Sequence, residues 1–246
     1  MKFSTHLLTL VAATTAVLSY NIPVKREDDK CESEIKDYKP CVDLILVPFS
    51  SENINASCKT LATEQCQKFF TDIEEIAPSC IDNKKYDYLS KGYVKQYAAQ
   101  NKYMCVMDEN NKLCPITDLN INLIFNKNAK PSVSEINNQS DKASEETCYS
   151  KKCTDALAEY YKTLSEDEDI IKMMAKSKAY NLNADDFKKD AQDSYKFFTN
   201  SDCTKKAGTR APKVYSENAS TSEASNIYVK MSSMAMLTLS VLYLLY

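Results

Sequence analysis

The 246-residue chain contains no tryptophan, two glycines and one histidine. Each shortage closes off a kind of chemistry. The histidine, His6, lies in an apolar N-terminal stretch that reads as a leader, so a processed chain keeps no imidazole. Ser–His and Cys–His nucleophilic schemes need that base beside the nucleophile and are excluded. With only Gly92 and Gly208, neither a glycine-rich phosphate loop nor a G-x-S-x-G elbow can be built. Without tryptophan the chain lacks the usual aromatic platform of sugar-cleaving clefts. Its 34 acidic residues still allow a carboxylate-pair hydrolase, but no spacing singles out two of them.

Long apolar runs are also missing, except at the two ends. Residues 231–246, MSSMAMLTLSVLYLLY, carry no charge. As a helix they would cover roughly 24 Å, short of the ~30 Å hydrocarbon core, and no Lys or Arg follows them. Ahead of them lie a trio of small residues, Asn218-Ala219-Ser220, and a polar spacer over 221–230. That is the pattern of a GPI-attachment signal, with Asn218 as the expected attachment residue and Ser220 or Ser222 as alternatives. A tail-anchored or type I span is the competing reading. At the other end, Lys2, the apolar residues 7–18 and a small residue at Ser19 make a signal peptide. Lys25-Arg26 then resembles the site cut by fungal Kex-type convertases; read plainly, it is a charge pair.

Residues 27–218 hold 27 basic and 33 acidic side chains, a balance of −6 that argues against a nucleic-acid partner. All ten cysteines lie in this part: Cys31, Cys41, Cys58, Cys66, Cys80, Cys105, Cys114, Cys148, Cys153 and Cys203. An even number on an oxidising route reads as a disulfide framework. The spacings are not the C-x2-C pairs of a zinc site. Sequons at Asn55 and Asn138 are expected to carry N-glycans, while the third, at Asn218, competes with the anchor. Seven cysteines precede the polar stretch 126–140 and three follow it. Complete pairing therefore needs a bridge across that stretch, so one stapled domain is expected.

The periodicity is helical almost throughout. Residues 32–47 carry apolar positions at helical spacing, with Pro40 kinking or splitting the element. Residues 58–76 make one or two helices, closed by Pro78. Residues 86–104 are predicted as the longest unbroken helix, with Tyr86, Leu89, Tyr93 and Tyr97 along one side. That tyrosine stripe is core, or a stacking surface for sugar or haem; core is the commoner arrangement. Gly92 costs this helix about 1 kcal/mol relative to Ala. Between Cys105 and Cys114, Asp108 to Asn111 are turn residues. A fold about Glu109–Asn110 sets Cys105 opposite Cys114, so a small hairpin closed by a Cys105–Cys114 bridge is predicted.

Further on, Leu119, Ile121, Leu123 and Phe125 alternate as a strand would, although Ile124 keeps a short helix open. Residues 126–140 read as an exposed, glycosylated loop, followed by a helix over 140–149 and another over 154–164. Ser165 and Glu168 form a capping box that opens a helix running to Tyr180. Asn183 caps the last helix, which buries Phe187, Tyr195 and Phe198. The acidic run Glu166 to Asp169 lacks the alternating ligands and central glycine of an EF-hand, and fits an acidic first helical turn instead. Residues 205–218 read as a stalk.

The chain from Cys31 to Cys203 resembles a group of uncharacterised, secreted, cysteine-rich helical proteins of fungi, especially anaerobic gut fungi. The likeness rests on Cys105…Asp108-Glu109-Asn110…Cys114-Pro115-Ile116 and on the run Glu146 to Thr154, ETCYSKKCT. It implies no activity. Fungal CFEM modules are also helical and disulfide-rich, but they pack eight cysteines into a far shorter span, so no haem ligand is carried over.

The expected fold is mainly α: a disulfide-stapled helical bundle with one small β-hairpin near Cys105–Cys114. The expected layout is a signal peptide over 1–19, a propeptide over 20–26, one cysteine-rich domain over 27–204, a stalk over 205–218 and a GPI signal over 219–246. The expected role is a non-catalytic surface or cell-wall module on the outer face of the plasma membrane. It needs no cofactor or metal, and its partners are the membrane through a GPI lipid, with wall glycan or a surface protein. The alternatives are a carrier of lipid, sterol or haem, which needs an apolar pocket, and a hydrolase with two convergent carboxylates.

Overall fold

The computed structural model describes residues 30–81, 83–124, 126, 131–176 and 183–218. Among them the regular structure is helical. The N-terminal part runs α1 (Lys30–Ile35), a 3-10 turn (Lys36–Tyr38), α2 (Lys39–Leu46), α3 (Ile54–Leu61), α4 (Glu64–Thr71), α5 (Ile73–Ile76) and α6 (Pro78–Ile81). A second 3-10 turn (Lys84–Leu89) leads into α7 (Lys91–Met104). Then come α8 (Pro115–Leu119), a π-helical turn (Asn120–Ile124), α9 (Val133–Thr147), α10 (Lys151–Glu166) and α11 (Glu168–Lys176). The described chain closes with α12 (Ala184–Thr199), α13 (Ser201–Thr204) and α14 (Tyr215–Asn218).

Local chemistry accounts for most of these limits. Pro40 splits the first segment as predicted and sits in the first turn of α2, where its missing N–H costs nothing. Asn183 caps α12, its Oδ1 accepting the Asp186 N–H at 2.8 Å. The predicted single helix over 86–104 breaks at Ser90, so α7 has 14 residues and α9, α10 and α12 are longer. The helix expected to open on a Ser165–Glu168 box opens instead on Asp167, whose Oδ1 accepts the N–H groups of Asp169 and Ile170. Ser165 lies inside α10 and donates back to the Lys162 carbonyl at 2.9 Å.

Two other expectations fail in the middle of the chain. The strand read from the alternation of Leu119, Ile121 and Leu123 is the end of α8 and a π-helical turn. Asn120 is buried between its apolar neighbours and donates to the Tyr103 hydroxyl at 3.0 Å, so burial does not alternate. The loop read over 126–140 is helical from Val133, capped by Ser132 Oγ, which accepts the Glu135 N–H at 3.2 Å. The inward residues of α9 are Ser140, Ala143, Ser144 and Thr147, too small and polar to show as hydrophobic periodicity.

The core forms where α10 lies along α12 and α7 packs on α10 and α11. Tyr103, Tyr160, Tyr161 and Phe198 make a continuous row of rings from α7 through α10 to α12, with successive centroids 4.8, 5.2 and 5.8 Å apart. The tyrosines of the predicted stripe are therefore mostly core: Tyr86 and Tyr97 are buried and Tyr93 is half-buried. Gly92 lies where α7 meets α11. A Cβ there would stand 2.5 Å from the Asp169 carbonyl oxygen and 2.6 Å from Met173 Cβ, so glycine permits the close approach.

All ten cysteines are paired: Cys31–Cys80, Cys41–Cys66, Cys58–Cys105, Cys114–Cys153 and Cys148–Cys203. The Cys114–Cys153 bridge crosses the 126–140 stretch, as parity required. The predicted Cys105–Cys114 bridge is wrong, and the predicted hairpin shrinks to one antiparallel bridge between Met107 and Leu113. The cause is a register shift of one residue. The turn is closed by Asp108 N–H donating to the Lys112 carbonyl at 2.8 Å, leaving three loop residues with Asn111 in the left-handed region at φ 59°. Cys114 then faces Val106, its sulfur 3.3 Å from the Val106 carbonyl oxygen, and Cys105 turns toward α3.

Candidate functional site

The most elaborate arrangement outside the core is made by the segment that follows the last cysteine. Residues 205–216, expected as a stalk, are docked on the body. Gly208 takes φ 75°, a conformation that favours glycine, and its N–H donates to the Tyr149 carbonyl at 3.0 Å. Arg210 then reaches Glu146 with both guanidinium nitrogens at 2.7 Å, while its Cζ lies 3.5 Å from the centre of the Tyr149 ring. A bidentate pair stacked on an aromatic face is a geometry lysine cannot reproduce. The Glu146 hydrogen bonds hold Arg210 above its ordinary pKa. Pro212 and Val214 are buried. Ser216 donates to the carboxylate of buried Asp118 from its N–H at 2.8 Å and its hydroxyl at 3.0 Å. Tyr215 packs on Leu119, Leu123 and Ala143, a satellite cluster separate from the main core.

The sequence held a faint signal for this dock. Arg210 is one of two arginines in the chain, against a background of lysine, and Gly208 is one of two glycines. Glu146 and Asp118 were not distinguishable from other acids, because what marks them is the segment that returns to meet them.

The Asp108–Lys112 turn is a second docking element. Asp108 is buried, and its Oδ1 accepts the N–H groups of Asn110 and Lys112, each at 2.8 Å. Glu109 reaches the start of α10 and accepts the Lys152 N–H at 3.1 Å. Burial alone would raise its carboxyl. The hydrogen bonds from Ser150 and Lys152 outweigh that, so it sits below the ordinary range. Negative charge at a helix N-terminus is stabilising, so Glu109 fixes the turn to the same helix start that the Cys114–Cys153 bridge clamps.

Two carboxylates converge on one ammonium where α7 meets α11. Lys95 Nζ lies 2.9 Å from Asp167 and 2.6 Å from Asp169. The Lys95 hydrogen bond holds Asp169 below its ordinary value, helped by the nearby Lys95 and Lys91 charges. A general acid for glycoside cleavage needs the opposite shift. This cluster ties helices together and does not present a proton.

An apolar ligand would need a pocket of at least ~300 Å³. The gap where the α2–α3 connection meets α7, lined by Leu44, Val47, Pro48, Phe49, Tyr97, Gln100 and Asn101, encloses about 10 Å³. That is room for about one water. Among the described residues no group of three or more His, Cys, Asp or Glu side chains gathers as a metal site, and no helix is long and apolar enough to cross a membrane.

The remaining expected site residues fall as follows. Asn55 is exposed on α3 and Asn138 is exposed on α9, so both sequon asparagines face solvent. Ser140, the third residue of the second sequon, is buried, so a glycan at Asn138 has to be added before α9 packs. Asn218 is the last residue of α14. Ser220, Ser222, the leader, Lys25-Arg26 and the apolar tail lie outside the described residues. No protein family, characterised protein or solved structure gives a match to this chain.

Proposed function

We propose that this chain is a GPI-anchored extracellular protein that acts as a non-catalytic structural or interaction module at the cell surface or in the wall. The observation that carries the reading is the complete pairing of ten cysteines into five bridges, eight of the cysteines being 0–2 % exposed. Such a framework belongs to an oxidising compartment. The charge-free tail reads as the signal that is cut away in exchange for the lipid anchor, and the docked 205–216 segment carries the chain along α8 and α9 to Asn218. The expected partners are the membrane through its lipid and a wall glycan or surface protein. The carrier and hydrolase alternatives gain no support from the 10 Å³ gap or from the lysine-bound carboxylates.

The test is treatment of intact producing cells with a phosphatidylinositol-specific phospholipase. Release of the protein into the medium, with all thiols blocked, is the expected result. Recovery from the cytosol with reactive thiols would overturn the reading. Native mass spectrometry of the released protein addresses the carrier alternative, because a co-purifying ligand would add discrete mass.

A further inference from the structure

The five bridges are not equally enclosed. Cys31, Cys41, Cys66, Cys80, Cys114, Cys148, Cys153 and Cys203 are all 0–2 % exposed, whereas Cys58 and Cys105 are partly exposed at the edge of the core. The exposed bridge also has a distinct place in the topology. Residues 42–65 form a lobe closed at its base by the buried Cys41–Cys66 bridge, and Cys58, within α3 of that lobe, ties it to the C-terminal end of α7 at Cys105. Opening this tie leaves the base intact. It also leaves Ile45, Phe49, Ile54 and Leu61 of the lobe seated in the core. The other bridges are buried, so reaching them requires the surrounding helices to part.

We infer that Cys58–Cys105 is a thiol–disulfide exchange site for small thiols, opening ahead of the other four bridges while the body stays folded. A small thiolate attacks one sulfur of the bridge in line with the S–S bond. That bond breaks, and its electron pair leaves with the other sulfur, which takes a proton from water. The product is a mixed disulfide on Cys58 or Cys105. A second molecule of the thiol, deprotonated by solvent, attacks the outer sulfur of that mixed disulfide. The symmetric disulfide forms, and the protein sulfur leaves with the electron pair and takes a proton from water. Two small thiols are thus oxidised and one bridge is reduced. Access decides which bridge reacts, because exchange needs a direct approach to sulfur.

The probe is reduced glutathione. The purified full chain, expressed through the secretory route, is held in native buffer with increasing glutathione, quenched with acid and alkylated with N-ethylmaleimide. Peptide mass spectrometry then reads the labelling of each cysteine. Cys58 and Cys105 are expected to label at least ~10-fold faster than any other cysteine, with helical circular dichroism unchanged. Earlier labelling at another pair, or simultaneous labelling of all ten with loss of helicity, would overturn the inference. The C58S/C105S double variant is expected to lose only the fast phase, and a fast phase persisting elsewhere counts against it. If that variant does not fold, the order of labelling in the natural chain still decides.

Discussion

At the scale of single residues, the close contacts are where small changes should be felt most. Alanine is the better helix former at Gly92 by about 1 kcal/mol. Even so, Gly92→Ala is expected to destabilise the protein by about 1–3 kcal/mol, since the new methyl meets the Asp169 backbone and Met173 and α11 must shift. Urea unfolding checks this, and a gain in stability would mean that α7 and α11 are not so close. Asp190 offers a test of sign. Burial, and repulsion from Asp186 and Asp193, raise its carboxyl above the ordinary value, with Lys189 opposing in part. A raised carboxyl binds its proton more tightly in the folded state. Its contribution is therefore most favourable below about pH 4 and is lost as pH rises from there through the folded value. Asp190→Asn should stabilise the protein by about a few tenths of a kcal/mol at pH 7, read as a higher melting temperature, and give no gain at pH 3.

At the scale of elements, caps and docks do the positioning. Asp167 ends α10, caps α11 through two N–H groups and binds Lys95. Asp167→Ala should cost about 1–2 kcal/mol, with the loss read as faster amide exchange in the first turn of α11. The 205–216 segment is the element whose role differs most from its sequence. Arg210→Lys keeps the charge but loses the paired geometry on Glu146 and Tyr149. Amide protection should fall at Gly208 and at Lys213, whose N–H donates to the Glu146 carboxylate at 2.8 Å, while exchange in α10 and α12 is unchanged. Full protection in the variant would show that Pro212, Val214 and Tyr215 hold the dock without the arginine.

At the scale of the whole molecule, the bridges fall into two covalent groups. The six cysteines up to Cys105 pair among themselves, and the four from Cys114 onward do the same. The groups are joined by one strand of backbone, the Val106–Leu113 turn, and by the packing of α7 on α10 and α11. A protease site placed in that turn should therefore give two fragments that separate in denaturant without any reductant. Had Cys105 paired with Cys114, they would stay linked. On the loop-entropy estimate each bridge is worth about 3.5–4.2 kcal/mol, because separations of 25 to 55 residues differ little on a logarithmic scale. Exposure, and not loop length, should set the order in which they open.

What the sequence by itself determined is whatever depends on composition and short-range spacing. Ten cysteines without zinc spacing led to a disulfide framework, and odd counts on either side of the 126–140 stretch required a bridge across it. Helical periodicity found α10 and α12, and local chemistry marked two helix starts, Pro40 that of α2 and Asn183 that of α12. The start of α9 went unread, although Ser132 caps it in the structure, because its small polar inner face gives no hydrophobic periodicity. Tertiary structure alone decided which cysteine meets which, because one extra residue in the Asp108–Lys112 turn re-aims Cys105 from its near neighbour to α3. It also decided that residues 205–216 dock, since their partners, Tyr149, Glu146 and Asp118, lie roughly 60 to 100 residues earlier in the chain. No local pattern encodes such contacts. They exist only after helices brought together by burial of their apolar faces have set distant side chains within a few ångströms.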